Sequence, residues 1–273
     1  MQIGRYKISI HNHGFFRLDG GAMFGVVPKT LWSKDMVPDD QNRILLATRS
    51  IIVEDGDRKM IVDLGCGDKW NSKIREIYSL PSEPYRVIDG VTDVFITHLH
   101  FDHCGGVSRY EGTKLVANYP SARHFVSAEN YAYAKNPHPR EKASYLRENI
   151  DVLAAVDLKL TKDGDEIWPG IYVHQANGHT KGLHWLTVND GGETLCFPTD
   201  VCPTSSHLPE THALGYDMCA ETSIADKHHF LEQAVRGGWV VVFEHDPEVA
   251  AGRLAFDDRG RAHVAEKIDF PEL

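Results

Sequence analysis

Four groups that can bind a metal ion occur within six residues, directly after an apolar segment. Residues 91–97 (VTDVFIT) have the pattern of a buried strand, and the sequence HLHFDH follows at 98–103. A lone histidine is more often a core or surface residue than a ligand. Imidazole and carboxylate groups at this spacing, however, suit zinc and similar divalent ions. The sequence therefore predicts a metal site at a strand end, with the ligands His98, His100, Asp102 and His103.

Further ligands are expected at other strand ends, because four groups cannot complete two metal sites. Three polar residues follow apolar segments downstream: His179 after residues 171–176, Asp200 after 194–197 and His245 after 239–243. A rigid sheet can hold such side chains in place. The sequence therefore predicts a site assembled from strand ends that are far apart along the chain.

The remaining pattern predicts an α/β fold with two sheets between helical layers. Residues 43–54 and 59–63 flank an Asp-Gly-Asp turn, which is typical of a hairpin. Helices are predicted at 71–79, at 127–156 with a break at 136–139, and at 226–236, where two glycines end the helix. No low-complexity segment or linker divides the chain, so we expect residues 1–273 to form a single domain.

Composition restricts the partners and the compartment. The 273 residues carry a formal charge of −10, from 39 acidic and 29 basic residues, with no basic stripe, which disfavours nucleic acid. No apolar segment approaches the length of a membrane span. The five cysteines form no C-x-x-C pair, which indicates a reducing compartment. We expect a cytoplasmic protein that binds a small molecule rather than nucleic acid or a membrane.

The order and spacing of these motifs resemble the metallo-β-lactamase superfamily. The series is HLHFDH, then GHT at 178–180, TD at 199–200 and FEHD at 243–246, with Asp63 in IVDLG. The resemblance implies an αββα sandwich with the metals between the sheet edges, and it implies that Asp63 is a buried aspartate supporting the site. It also implies the ligands: His98, His100 and His179 for one metal, Asp102, His103 and His245 for the other, and Asp200 as a bridge.

The resemblance also implies a hydrolase with two divalent metal ions. Zinc is the first expectation, and iron, manganese and cobalt stay open because histidine and carboxylate suit them all. A bridging hydroxide would attack a carbonyl carbon, and Asp102 would carry the proton to the leaving group. A non-enzymatic ligand-binding member of the fold is the alternative of another class. Such members usually lose ligands, and all seven are present here.

The substrate expectation depends on other segments. LDGGAMFGVVPKTLW at 18–32, PTSSHLP at 203–209 and GYD at 215–217 are similar to quorum-quenching N-acyl-homoserine lactonases of this superfamily, for which dimers are common. A homodimer is therefore one expectation. The best-known lactonases place a tyrosine three residues after the bridging aspartate, where this chain has Pro203. Tyr216 either supplies the phenol instead or has a structural role. Organophosphate and aryl-ester hydrolases of the same fold are the alternative.

The glycine-rich segment at 18–28 is predicted to form a turn beside the site. It lacks the spacing of a phosphate-binding loop. We expect positive φ angles near Gly20 and Gly21, which glycine adopts without steric cost. Met23 and Phe24 are expected to project over the metals and contact the acyl or aryl part of a substrate. Packing under the first strand is the alternative for both side chains.

Overall fold

Each half of the chain forms one mixed sheet of seven strands. The computed structural model describes residues 1–272, so Leu273, the last residue of the predicted domain, lies outside the described residues. The first half contains β1 (Gln2–Ile3), β2 (Tyr6–Asp19), β3 (Arg43–Asp55), β4 (Arg58–Val62), β5 (Asp93–Ile96), β6 (Ser108–Glu111), β7 (Lys114–Ala117), β8 (Arg123–Ser127) and β9 (Asp157–Thr161). The sheet order is β1-β2-β3-β4-β5-β8-β9, while β6 and β7 form a separate hairpin.

The second half forms a sheet whose strands are neighbours in chain order. Its strands are β10 (Glu166–Trp168), β11 (Ile171–Ala176), β12 (Leu183–Asp190), β13 (Glu193–Phe197), β14 (Val240–Val242), β15 (Ala251–Phe256) and β16 (Ala262–Lys267). The β13–β14 pair is parallel and all other pairs are antiparallel. The parallel pair needs a long connection, and the longest helix of the described residues provides it.

Seven α-helices accompany the sheets within residues 1–272. They are α1 (Gly20–Phe24), α2 (Lys29–Trp32), α3 (Ser72–Tyr78), α4 (Phe101–Cys104), α5 (Ala128–Ala134), α6 (Arg147–Asp151) and α7 (Ala220–Gly237). Helix α7 contains the predicted helix at 226–236 and ends where Gly238 adopts a left-handed conformation with φ 60°. Within residues 1–272, no helix combines the length and the apolar character needed to cross a membrane.

Apolar side chains fill the space between the two sheets and the space under each helical layer. Ile51 and Val53 of β3 pack with Val173 and Leu186 of the opposite sheet. Helices α5 and α6 cover the outer face of the first sheet. Phe230 of α7 packs on the outer face of the second sheet. Burying one such large side chain stabilises the fold by about 1.5–3 kcal/mol. These layers confirm the predicted sheets between helices.

Strand directions bring the ends of four strands to one edge. Strand β5 is parallel to both β4 and β8. In the second sheet, β11 and β13 are each antiparallel to β12, and β13 is parallel to β14. Strands β11, β13 and β14 therefore run in the same direction. The carboxyl ends of parallel strands form a crevice at the sheet edge. The sequence motifs at 98–103, 178–180, 199–200 and 243–246 follow these strands.

The structure corrects the predicted turn at Gly20 and Gly21. Strand β2 leads directly into helix α1, which is capped by the Asp19 carboxylate accepting from the Ala22 N–H at 2.8 Å. The positive φ angle occurs at Gly25, with φ 57°. Gly20 is required for packing instead, because a Cβ atom there would lie 2.3 Å from the Trp32 ring.

Candidate metal centre

A first cluster of ligand-type side chains lies at the edge between the sheets. His98 and His100 follow β5, His179 follows β11 and Asp200 follows β13, and all four are buried. Nδ1 of His100 lies 3.1 Å from Nε2 of His98 and 3.2 Å from Nε2 of His179. Three imidazoles therefore converge on a small space beside a carboxylate.

A second cluster lies next to the first and consists of Asp102, His103 and His245. Nε2 of His245 lies 3.3 Å from Nε2 of His103. The Asp102 oxygens lie 3.8 Å from His103 Nε2 and 3.9 Å from His245 Nε2. Asp102 and His103 are on helix α4, which begins at Phe101, shortly after β5 ends at Ile96.

Asp200 lies between the two clusters. Its Oδ2 atom is 3.0 Å from His179 Nε2 and 3.3 Å from His103 Nε2, and its Oδ1 atom is 3.3 Å from His245 Nε2. Burial opposes ionisation of this carboxyl, but the neighbouring His103, His179 and His245 in their protonated forms outweigh burial and hold its pKa well below the usual value. Among the described residues, buried Oδ1 has no hydrogen-bond donor. The carboxylate is thus placed to face both clusters.

The outer ring nitrogen of each histidine has an oxygen partner. Because the Thr97 hydroxyl donates to Asp63 Oδ2 at 2.7 Å, Thr97 Oγ1 must accept the N–H of His98 at 3.1 Å. Four further acceptors hold the other rings: Glu141 Oε2 at 3.1 Å from His100 Nε2, Asp63 Oδ2 at 3.1 Å from His103 Nδ1, Asp217 Oδ1 at 2.9 Å from His179 Nδ1, and the Ala47 carbonyl at 2.8 Å from His245 Nδ1.

These partners determine where the imidazole lone pairs point. If each ring carries its proton on the outer nitrogen, all five inner nitrogens present lone pairs to one another at short distances. Such an arrangement is repulsive unless a cation accepts the lone pairs. The tautomer with its proton on the outer nitrogen is the one that metal-bound histidine requires. Together with the donorless Asp200 oxygen, the residues fit divalent metal ions held by nitrogen and carboxylate ligands.

Asp63 supports both the strand end and His103. It is fully buried, and its carboxylate accepts the Thr97 N–H at 2.8 Å as well as the Thr97 hydroxyl. Its backbone has φ 60°, a left-handed conformation that non-glycine residues adopt rarely. Thr199, just before Asp200, also has a positive φ angle, of 47°. Unusual backbone angles of this kind cluster at functional sites.

Sequence reasoning missed three carboxylates that contact the histidines. Glu141 and Asp217 lie on loops, where no periodic pattern indicates a role. Glu244 precedes His245, and its Oε1 atom lies 3.1 Å from His103 Nδ1. Burial raises the pKa of Glu244 above its usual value. The only sequence signal for these residues was their position inside motifs already noted: Glu244 lies within FEHD and Asp217 within GYD.

A cavity of about 320 Å³ opens over the two clusters. His100, Asp102, His179, Asp200 and His245 form its floor. One wall is apolar and includes Leu18, Met23, Leu46, Phe101 and Leu214, and Tyr78, Arg140 and Tyr216 also line the space. The cavity is at the small end of the range for ligand sites, so it suits a small molecule.

The predicted substrate contact of Phe24 is wrong. Phe24 does not line the cavity and is fully buried, with its ring stacked between Trp32 at 5.4 Å and His207 at 4.4 Å. Neighbouring helical residues diverge by about 100°, so Met23 and Phe24 cannot both face the metal ligands. Met23 lines the cavity, whereas Phe24 packs underneath the wall.

The chain is similar in sequence and in structure to known metal-dependent hydrolases. The profile of the metallo-beta-lactamase superfamily matches residues 43–212. A crystal structure of a probable metal-dependent hydrolase from Staphylococcus aureus is 28% identical, with a TM-score of 0.89 and 98% of each chain covered. The dizinc quorum-quenching lactonase AidC has a TM-score of 0.79 and 19% identity, over 99% of this chain and 97% of that one, which is a similarity of fold.

A curated relative from a Bacillus species, an N-acyl homoserine lactonase, is 24% identical over 170 residues. That alignment spans 60% of this chain and 60% of the relative.

Proposed function

Because the chain belongs to the metallo-β-lactamase superfamily, we propose that it is a metal-dependent hydrolase of small lactones or esters, with N-acyl-homoserine-lactone-like substrates first. The convergence of five imidazole lone pairs around Asp200 is the observation that carries this proposal. The lactonases among its relatives and the small cavity support the substrate class. We propose further that residues 1–273 act as one catalytic domain.

Two divalent cations, zinc first, are proposed for the two clusters. His98, His100 and His179 would hold one cation, and Asp102, His103 and His245 the other, with Asp200 shared. Bound there, the cations would lower the pKa of water to the neutral range and polarise a carbonyl oxygen. The five outer hydrogen bonds keep the imidazoles oriented while the ligands are engaged.

Asp102 and Tyr216 are the proposed proton-handling residues. Asp102 lines the cavity and has no short hydrogen bond to the histidines beside it, so a carboxylate oxygen can take a proton and pass it to the leaving group. Burial, together with the nearby Tyr78, raises the pKa of Tyr216, so its phenol stays protonated. A protonated phenol on the cavity wall can donate a hydrogen bond to a substrate oxygen.

A specific observation favours aryl esters or phosphotriesters as the second candidate. Pro203, which replaces the tyrosine of the best-known lactonases, uses its carbonyl to accept the backbone N–H of His245 at 3.0 Å. It therefore supports the site through the backbone and supplies no phenol there. The rings of Tyr78, Phe101 and Tyr216 line the cavity instead and can stack on an aryl group.

The experiment is metal analysis followed by a substrate panel. Protein purified without added chelator is assayed for bound metal and then for turnover of acyl-homoserine lactones, aryl esters and phosphotriesters. Two metals per chain with lactone turnover is the expected result. Fast phosphotriester turnover with negligible lactone turnover would favour the second candidate. Two bound metals without any turnover would favour a ligand-binding protein.

A further inference from the structure

Arg140 is the only lysine or arginine side chain among the described residues that line the cavity. Its Nη2 atom donates to the Gly215 carbonyl oxygen, and its backbone N–H donates to His138 Nδ1 at 3.2 Å. Within residues 1–272, its Nε and Nη1 atoms make no hydrogen bond and its guanidinium forms no ion pair. A fixed cation with unused donors thus faces the space above the metal ligands.

The carboxylates of the cavity do not pair with Arg140 because they have other partners. Glu141, the next residue, accepts from Thr180 Oγ1 at 2.7 Å and from the Tyr133 hydroxyl, besides its contact with His100. Asp102 and Asp200 face the histidine clusters. Neutralising an internal acid is therefore not the role of Arg140, and its free donors are available to a molecule in the cavity.

Building on the proposed hydrolase function, we propose that the substrate is an ester or lactone that also carries a carboxylate, and that Arg140 binds this carboxylate. A guanidinium presents parallel N–H groups that match the two carboxylate oxygens. The cavity also has an apolar wall, which includes Leu18, Met23 and Leu46. The substrate would have an apolar body between the reacting carbonyl over the metal ligands and the carboxylate at Arg140.

A carboxylate suits the site better than a phosphate monoester. The cavity holds about 320 Å³ and already contains Asp102, Glu141 and Asp200. A dianion would be repelled by these groups more strongly than a monoanion. A phosphate group would also occupy more of the space that the apolar body needs.

The test uses two substrates that differ only in the distal group. The metal-loaded protein is assayed with the 4-nitrophenyl half-ester of adipic acid and with its neutral terminal carboxamide. We expect kcat/KM to be at least about 10-fold higher for the acid than for the amide. The difference should be in KM, because a charged hydrogen bond to the carboxylate stabilises the bound acid by that order. The preference should decrease as salt rises, since Arg140 is exposed.

Three variants complete the design. Arg140→Met should remove the preference for the acid, and Arg140→Lys should restore part of it. Lys142→Met, which removes an exposed cation two residues away that does not line the cavity, should keep the wild-type ratio. Metal content and the melting temperature of each variant show whether the fold and the metal site are retained.

Several outcomes would overturn the inference. An equal loss on both substrates in Arg140→Met would show that Arg140 only holds the Gly215 loop. A wild-type enzyme that favours the amide, or a distal phosphate over the carboxylate, would also overturn it. So would no turnover of either adipate ester by a protein that hydrolyses other esters. Absence of turnover on every substrate would instead be a failure of the proposed hydrolase function.

Discussion

The carboxylate of Asp217 lies 2.9 Å from Nδ1 of His179 through its Oδ1 atom. Its Oδ2 atom accepts the backbone N–H of Leu214 at 3.0 Å. One buried side chain therefore orients a proposed metal ligand and also fixes a residue of the apolar cavity wall. One proposed metal ligand and one residue of the apolar cavity wall are thus held by the same loop.

Asp217→Ala should weaken metal binding at the first cluster by about 10–100-fold, because His179 loses the acceptor that fixes its tautomer. The dissociation constant is measured by competition with a chromogenic chelator. Glu210→Gln is the matched control, since Glu210 is a carboxylate of the same loop whose side chain, within residues 1–272, pairs with the exposed His228. Wild-type affinity in Asp217→Ala would contradict the assigned role.

His103→Ala should reduce bound metal from two ions to one per chain and remove nearly all hydrolysis. The loss should exceed the ~100-fold that partners outside the ligand set typically cost. Metal is counted by mass spectrometry of the purified protein, with exposed His228→Ala as the control. Full activity of the variant with one bound metal would rule out a mechanism that needs two metal ions.

Met23→Ala and Phe24→Ala should have different effects although the residues are adjacent. Met23→Ala should raise KM for substrates with apolar acyl or aryl groups without loss of metal, because Met23 lines the cavity. Phe24→Ala should lower the free energy of unfolding by about 3–5 kcal/mol, because it removes a ring stacked between two others. Urea unfolding and steady-state kinetics on both variants separate the two effects. Stability loss alone in Met23→Ala would show that Met23 is a packing residue.

His207 should make the folded state sensitive to acid. Burial is the largest cause that lowers its pKa, to about 3 from an ordinary 6.5, and its ring nitrogens contact the Thr204 hydroxyl at 2.7 Å and the Met23 carbonyl at 2.9 Å. Below pH 6.5 the unfolded chain binds a proton that the folded chain does not. The contribution of His207 to the free energy of unfolding is therefore complete above pH 6.5 and is lost as the pH falls toward 3.

The measurement compares metal-free wild type with His207→Phe by urea unfolding between about pH 4.5 and 7.5. The stability advantage of the wild type should shrink by ~1 kcal/mol per pH unit below the ordinary histidine pKa. A constant difference in the free energy of unfolding between the two proteins across this pH range would show that His207 has the same pKa in the folded and unfolded states.

The sequence was sufficient to predict the two sheets and to place the motif residues at strand ends, because buried strands and clustered histidines both leave local patterns. The long strand β2 was not predicted as such. A bulge between Asn12 and Phe15 shifts its register, which interrupts the alternation of inward and outward side chains. The C-terminal hairpin of β15 and β16 was also not predicted.

The partners of the histidines could not be predicted in the same way. Glu141 meets His100 across 41 residues and Asp217 meets His179 across 38, and each carboxylate lies on an irregular loop. Phe24 was misplaced for a related reason. The segment was expected to be a turn, and only the helix α1 determines which of two neighbouring side chains points toward the cavity.

The division of the ligands between the two sheets has a consequence for biosynthesis. All strands of the first sheet are synthesised before the strands that precede His179, Asp200 and His245. At that stage the nascent chain carries only part of each cluster, namely His98, His100, Asp102 and His103. If the proposed cations bind, their full ligand sets form only when the second half docks on the first, and the free energy of metal binding would then contribute to holding the two halves together.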